Sequence, residues 1–493
     1  MRLWPLLVAN NVIIFFSSAY LMFLPDYPSH LQQLIQAALA AANPAQAVQK
    51  ALRRDGDTLI VGQQRYTPRR VFLLGVGKAA EKMVAAACPI LGDKLHEGIL
   101  IYKRGHSLPP LPPAIRSFPA DHPVPTQDNL TATQSVLEWL NQATVHDLVL
   151  CLISGGTSAL LTQPLLPLAD WQALTQAMLA SGCPIEQFNQ VRQFFDPVKG
   201  GGLAAAAAPA PCASLIISDV VGNPLDIIGS GPTVPVNRDA GSVRHILDHY
   251  QVWARLTPQT QDFTQAILGH SPQKATRPNE IHLPGFVSLP GAPLRAYDSS
   301  PSVYNHVVAD GSSMAQAVAL KARQLGFQPQ LLTTHLQGEA KEIGKVAAAL
   351  AQDARPRLCL ILAGETTVTL TSEAGKGGRN QEIALSAALQ LAGTEGVVLA
   401  AFASDGEDGP TDAAGAMVTG RTVWQGRQHG LLARDYLARH DSYTFFKQLQ
   451  NAAATPLAGR LIHTGPTGTN VNDLIIILSY KQNEQLPIPS ISR

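Results

Sequence analysis

The chain has 493 residues, 46% hydrophobic and 15% charged, which is enough apolar material for about two or three packed domains and excludes a disordered chain. Its 37 basic and 36 acidic side chains leave a formal net charge of +1, so composition supplies neither a nucleic-acid footprint nor a polybasic membrane surface. Any anion must be met by local groups, and five scattered cysteines without CxxC or Cys/His metal spacing fit a reducing, cytoplasmic setting.

The first stretch, MRLWPLLVANNVIIFFSSAYLMFL, admits three readings: translation that starts at Met22, a membrane anchor over residues 3–24, or a signal peptide cleaved near Ser17-Ser18-Ala19. A lone n-region charge at Arg2 and the interruption by Asn10 and Asn11 weigh against the last two. Residues 1–27 are therefore set aside as an apolar extension. From 28 to 270, short apolar runs alternate with Ala- and Leu-rich helical stretches. The strands expected here are Val71 to Val76, Gly98 to Tyr102, Asp147 to Ile153 and Ser214 to Ser218. They are continuous rather than alternating, as in a mainly parallel, doubly wound sheet buried on both faces. Residues 271–302 are rich in proline and read as a connector. A second α/β domain is expected over 303–480, with strands around HVVAD, Gln330 to Thr333, RLCLILAGETTVTLT, GVVLAAFASDG and Asp473 to Leu478, before a polar tail at 481–493.

Chemistry-bearing residues gather where these strands end. Gly75-Val76-Gly77-Lys78 closes the first strand and opens a helix, where free backbone N–H groups and an ammonium suit an anion. Ser154-Gly155-Gly156-Thr157-Ser158 follows the third strand and offers amides and hydroxyls to a phosphate. GxxxxGK[ST] occurs nowhere, so a P-loop fold is disfavoured. Lys199-Gly200-Gly201 heads an alanine-rich helix, with Arg192 close by in the sequence. Asp219 and Asp226 follow the fourth strand, and Asp405, Asp408 and Asp412 follow GVVLAAFA; such carboxylates suit Mg²⁺ or base chemistry. Glu365 ends another strand, and Lys376-Gly377-Gly378-Arg379 forms a basic glycine loop. A last glycine and threonine loop brings Thr467, Asn470 and Asp473. Cations, glycine amides and carboxylates at strand ends are the parts that phosphoryl transfer needs, and one cleft at the carboxyl edge can collect them.

The ordered set GVGKAA, HPVP, LISGGTSALL, VKGGGLA, SDVVGNPLDIIGSGPT, GETTVTL, GKGGRNQE, SDGEDGPTDAAGA and GPTGTNVND resembles the type-2 glycerate kinase family over residues 30 to 478. The resemblance implies a larger Rossmann-like N-terminal domain, a smaller MOFRL-type α/β domain, and ATP, Mg²⁺ and glycerate meeting in the cleft between them. By motif match it implies Lys78, Arg379 and Asp405 as catalytic residues. The phosphate or nucleotide contacts expected are Gly75, Gly77, Ser154, Gly155, Gly156, Thr157, Ser158, Lys199, Gly200, Gly201, Gly377 and Gly378. Arg192 and Glu365 are expected at the acceptor, Asp219 and Asp408 at the metal. The partners are small molecules, with no nucleic acid, and a homodimer is the candidate assembly.

Four positions depart from the family's usual pattern: Thr157 for a glycine, Gln193 for a lysine, Asp196 for a serine and Asn223 for an aspartate. Gln193 and Asp196 remove a positive charge and add a negative one beside an expected phosphate loop. Two rival readings follow. One is an NAD(P)H-dependent hydroxypyruvate reductase, since Gly75-x-Gly77-x-x-Ala80 is a loose dinucleotide match and Lys103-Arg104 suits NADP. The other is a catalytically impaired sugar-acid or nucleotide-binding relative.

Overall fold

The computed structural model describes residues 27–269, 302–370, 373–452 and 459–481. The expected N-terminal extension up to residue 26, the connector up to 301 and the tail from 482 lie outside the described residues. Three short strands, β1 (Leu52–Asp55), β2 (Thr58–Val61) and β3 (Gln64–Tyr66), make an antiparallel meander. The strands β4 (Val71–Val76), β5 (Leu95–Lys103), β6 (Ile115–Ala120), β7 (Leu148–Ile153), β8 (Cys212–Ile217) and β9 (Val303–Ala309) form a wholly parallel sheet in the order β6-β5-β4-β7-β8-β9.

A second six-stranded sheet holds β10 (Gln328–Leu336), β11 (Leu358–Gly364), β12 (Val397–Ala403), β13 (Gly415–Thr419), β14 (Arg460–Ile462) and β15 (Asp473–Ser479), ordered β10-β11-β15-β12-β13-β14. Here β10 and β11 are parallel and the other pairs antiparallel. The protein is thus a mixed α/β structure with a parallel sheet and a second sheet.

The central strands are buried at every residue because helices cover both faces. Strand side chains alternate, so Phe72, Leu74 and Val76 pack with Trp139 and Leu140 on one side. Leu73 faces the other side, in a cluster that also takes Leu31 and Leu34, Met314 and Val318, and Ile361, Phe402 and Ile476. The helices Tyr27–Ala41 and Gly311–Gln324 thereby contribute to one continuous core that reaches both sheets. A separate cluster joins the helices Leu168–Ala180, Ile185–Phe195, Ala240–His249 and Pro258–Gly269, and carries Arg192.

One assignment changes. Val303–Ala309, read from the sequence as the start of the second domain, pairs with β8 from Cys212↔Val303 to Ile217↔Ala309 and forms an edge of the first sheet. An apolar run announces a strand but says nothing of its partner, and most of β9 is half-buried, as an edge strand is.

Candidate active site

The carboxyl ends of β4, β5, β6, β7 and β8 lie along one edge, and four loops meet there. Gly77 has φ +124°, and a Cβ on it would strike Ser154 Oγ at 2.2 Å, so glycine is required where these loops touch. Ser154 Oγ accepts the Ala79 N–H at 3.1 Å, and the Lys78 N–H donates to Gly155 O at 2.9 Å. These two bonds lock the β4 and β7 loops together and place the Lys78 side chain over Gly156, where an added Cβ would sit 3.2 Å from Lys78 Cγ. Lys78 is half-buried and has no salt bridge among the described residues, yet its charge acts on Asp219, Asp405 and His122.

Asp219 lies against Gly155, whose added Cβ would fall 2.2 Å from Asp219 Oδ2. Burial, reinforced by the charge of Glu365, pushes its carboxyl up to about 6 against the pull of Lys78. Asp405 is raised too, first by burial, and feels both Arg379 and Lys78. Groups from the two sheets therefore share one electrostatic environment. Lys82 Nζ donates to Thr467 O at 2.6 Å, joining the helix after β4 to the loop before β15.

Arg379 opens the helix Arg379–Gln390. Its Nε and Nη2 meet the two oxygens of Asp473 at 2.5 and 3.0 Å, and Nη1 meets Glu365 Oε1 at 2.8 Å. Burial works against the guanidinium's charge, but Asp473 and Glu365 outweigh it and hold the pKa above the usual value. Gly377 and Gly378 are needed for contact: their added Cβ atoms would lie 2.4 Å from Ser442 Oγ and 2.3 Å from Asp408 Cγ. Gly75 is likewise a packing residue, with Val84 Cγ2 at 2.3 Å from its added Cβ.

Several expected ligand contacts are turned to other uses. Lys199 is fully buried, and its ammonium meets Ser158 O and Leu161 O, each at 2.8 Å, and Asp196 Oδ2 at 3.1 Å. With three acceptors for three N–H bonds, it has none left for a phosphate. The N–H groups of Gly200 and Gly201 are bound to Ser230 O and Gly231 O at 3.0 and 2.7 Å, so that turn braces the neighbouring loop. Thr157 is buried and donates to Ser154 O at 2.7 Å, while Ser158 pairs with Ser230 at 2.8 Å. Asp408 is an N-terminal cap, its oxygens accepting the Asn380 and Gln381 N–H groups at 3.0 and 2.8 Å, which removes it from the metal assignment. Among the described residues no group of three His, Cys, Asp or Glu side chains is arranged to hold a metal ion.

The departures from the family pattern find local partners. Asp196 is neutralised by Lys199 and accepts from Thr162 Oγ1 at 2.6 Å and Gln163 N at 3.1 Å. Gln193 Nε2 donates to Asp226 O at 2.7 Å. Asn223 adopts a positive φ of 54°, which asparagine tolerates, and donates to Asp310 Oδ2 at 2.6 Å.

His122, the first residue of HPVP, carries no functional signal of its own in the sequence. It follows β6, whose sequence IRSFPA lacks a continuous apolar run and so gives no strand signal. Its ring lies 3.3 Å from the position of a Cβ on Gly156. Burial and the charges of Lys78, Lys103 and Arg192 lower its pKa to about 4, which leaves it neutral at pH 7.

Family models match most of the chain: one described as a domain of unknown function, DUF4147, over residues 30–265, and the MOFRL family over residues 358–473. The chain is 36% identical to the D-glycerate 2-kinase of Thermotoga maritima over 465 residues, 92% of this chain and 99% of that protein. It is 35% identical, over 92% of its length and 93% of the relative's, to an Agrobacterium vitis protein named as a putative hydroxypyruvate reductase. A crystal structure of glycerate kinase from Thermotoga maritima superposes with a TM-score of 0.75 at 34% identity, covering 92% of this chain and 99% of that one.

Proposed function

This chain belongs to the glycerate kinase family, and we propose that it transfers the terminal phosphoryl group of ATP to the 2-hydroxyl of D-glycerate, giving 2-phosphoglycerate. The observation that supports this reading is that the charges of Lys78, from the edge of the first sheet, and Arg379, from the second, both act on Asp405. Lys78, without a salt bridge among the described residues, can meet a transferring phosphoryl group, while Arg379 is held by Asp473 and Glu365. Both complement negative charge that spreads over the phosphoryl oxygens as the bond to ADP breaks. Gly155 and Gly156 let the backbone approach the phosphates without side-chain obstruction.

Asp219 and Glu365 suit Mg²⁺, because the charge of Glu365 reaches the buried Asp219 and helps raise its carboxyl, a repulsion that a cation would relieve. Mg²⁺ needs only one or two protein carboxylates when phosphates and water complete its octahedron. When bound there it would neutralise phosphate charge. Asp405, half-buried beside Lys78 and Arg379, is the candidate to take the proton of the acceptor hydroxyl.

The reductase reading loses part of its footing, since Arg104 is engaged by Asp121 and Asp128. A cytoplasmic location fits five free cysteines; among the described residues no helix is long and apolar enough to cross a membrane. ADP release coupled to D-glycerate consumption, with product analysis, tests the proposal. The expected product is the 2-phosphate; exclusive 3-phosphate would overturn the regiochemistry, and NAD(P)H consumption with hydroxypyruvate but no ATP turnover would overturn the reaction.

A further inference from the structure

The charges of Lys78, Lys103 and Arg192 all reach His122. Lys103 is the last residue of β5 and the Cα partner of Ala120 at the end of β6, two residues before His122. The charge of Arg192 reaches His122 from the helix Ile185–Phe195, where its guanidinium lies 3.8 Å from the centre of the Phe188 ring. Lys78 completes the group beside Gly156. Among the described residues neither Lys103 nor Arg192 forms a salt bridge; Asp196 acts on Arg192 from a distance but makes its ion-pair contact with Lys199.

Cations brought together with no carboxylate in direct contact repel one another, and a bound anion relieves that repulsion. We infer that Lys103 and His122 join Arg192 in a pocket that binds the carboxylate of the acceptor, making them specificity-determining residues. This inference rests on the proposed reaction with a small hydroxy acid. The arrangement is suited to it: the planar guanidinium, steadied on Phe188, presents two parallel donors to a carboxylate, and the neutral imidazole adds a third without an added charge. The 2-hydroxyl is carried by the carbon next to that carboxylate, so an acceptor held there keeps it close to Lys78, which lies with His122 beside Gly156. An acceptor without the carboxylate leaves Lys103 and Arg192 without that counter-charge and is rejected for that reason.

The test is calorimetric binding to the full-length protein, with D-glycerate, ATP and glycerol titrated separately into wild type, Lys103→Met and His122→Gln. Removing one charged or charge-assisted contact is expected to weaken D-glycerate binding roughly 10- to 100-fold. ATP affinity should change less than about threefold on the same scale, and glycerol binding should not respond to Lys103→Met. In turnover, KM for D-glycerate should rise more than kcat falls, and Lys103→Arg should restore most of the affinity. Loss of ATP affinity with D-glycerate binding intact would mean that the cations hold the triphosphate, and would overturn the inference. So would unchanged D-glycerate binding in both variants, or no D-glycerate binding by wild type. Wild type that binds D-glycerate but does not phosphorylate it would sink the proposed reaction and leave the pocket standing. Thermal melts of both variants identify any that fail to fold, and the other then decides.

Discussion

Arg379 grips Asp473 at two points, Nε and Nη2 on the two carboxylate oxygens at 2.5 and 3.0 Å, while Asp473 itself is only 4% exposed. A residue at the mouth of a glycine loop would ordinarily be expected to matter for chemistry and little for folding. This pairing makes Arg379 matter for both.

Arg379→Ala is expected to reduce turnover by about two to four powers of ten and also to lower stability by about 3 kcal/mol, because it strands a buried carboxylate. Adding Asp473→Asn should recover most of the melting temperature and none of the turnover. Denaturant titration of the single and double variants checks the first statement and initial rates the second.

Lys78 behaves differently, since it has no ion pair to lose. Lys78→Ala should melt close to wild type and still lose about two to four powers of ten in kcat. Lys78→Arg should rescue poorly, because the space over Gly156 was shaped around a compact ammonium on a slender stem. An active Lys78→Ala enzyme would take Lys78 out of the mechanism.

The buried pair of Lys199 and Asp196 should show the opposite balance. Lys199→Met leaves Asp196 uncompensated and is expected to cost about 3–5 kcal/mol of stability. Turnover per folded molecule should hold. A Lys199→Met protein that melts normally yet loses ATP affinity would return Lys199 to the phosphates.

Acidification isolates His122. Its folded pKa of about 4 lies below the value near 6.5 of an exposed imidazole, so the neutral ring favours the folded state. That contribution is present above about pH 6.5 and is lost as the pH falls through about 4. Its full size is on the order of 3 kcal/mol, less what partial solvent access screens. His122→Gln should therefore lose stability less steeply than wild type between about pH 6.5 and 4, as read from melting temperature against pH. Parallel profiles would show that the ring is not held neutral.

The strands β4, β7 and β11 were legible in the sequence because each is a buried, uninterrupted apolar run, and local composition suffices to mark such a run. Glycines at their ends were legible for the same reason: Gly77 and Gly378 serve contacts within a few residues of a strand or helix end. The motif order from GVGKAA to GPTGTNVND was enough to indicate the family. What local composition could not carry was direction and partnership. Lys199 and Lys78 look alike as lysines beside glycines, yet one turns inward to Asp196 and two carbonyls while the other stays open over Gly156. Asp408 and Asp405 are three positions apart in one acidic loop, but only Asp408 meets the free N–H groups of the helix that Arg379 begins. Val303–Ala309 reads like any other strand until β8 takes it into the first sheet. In each case a charge or a hydrogen-bonding edge is neutralised by a partner far away in sequence, and only folding brings that partner within reach.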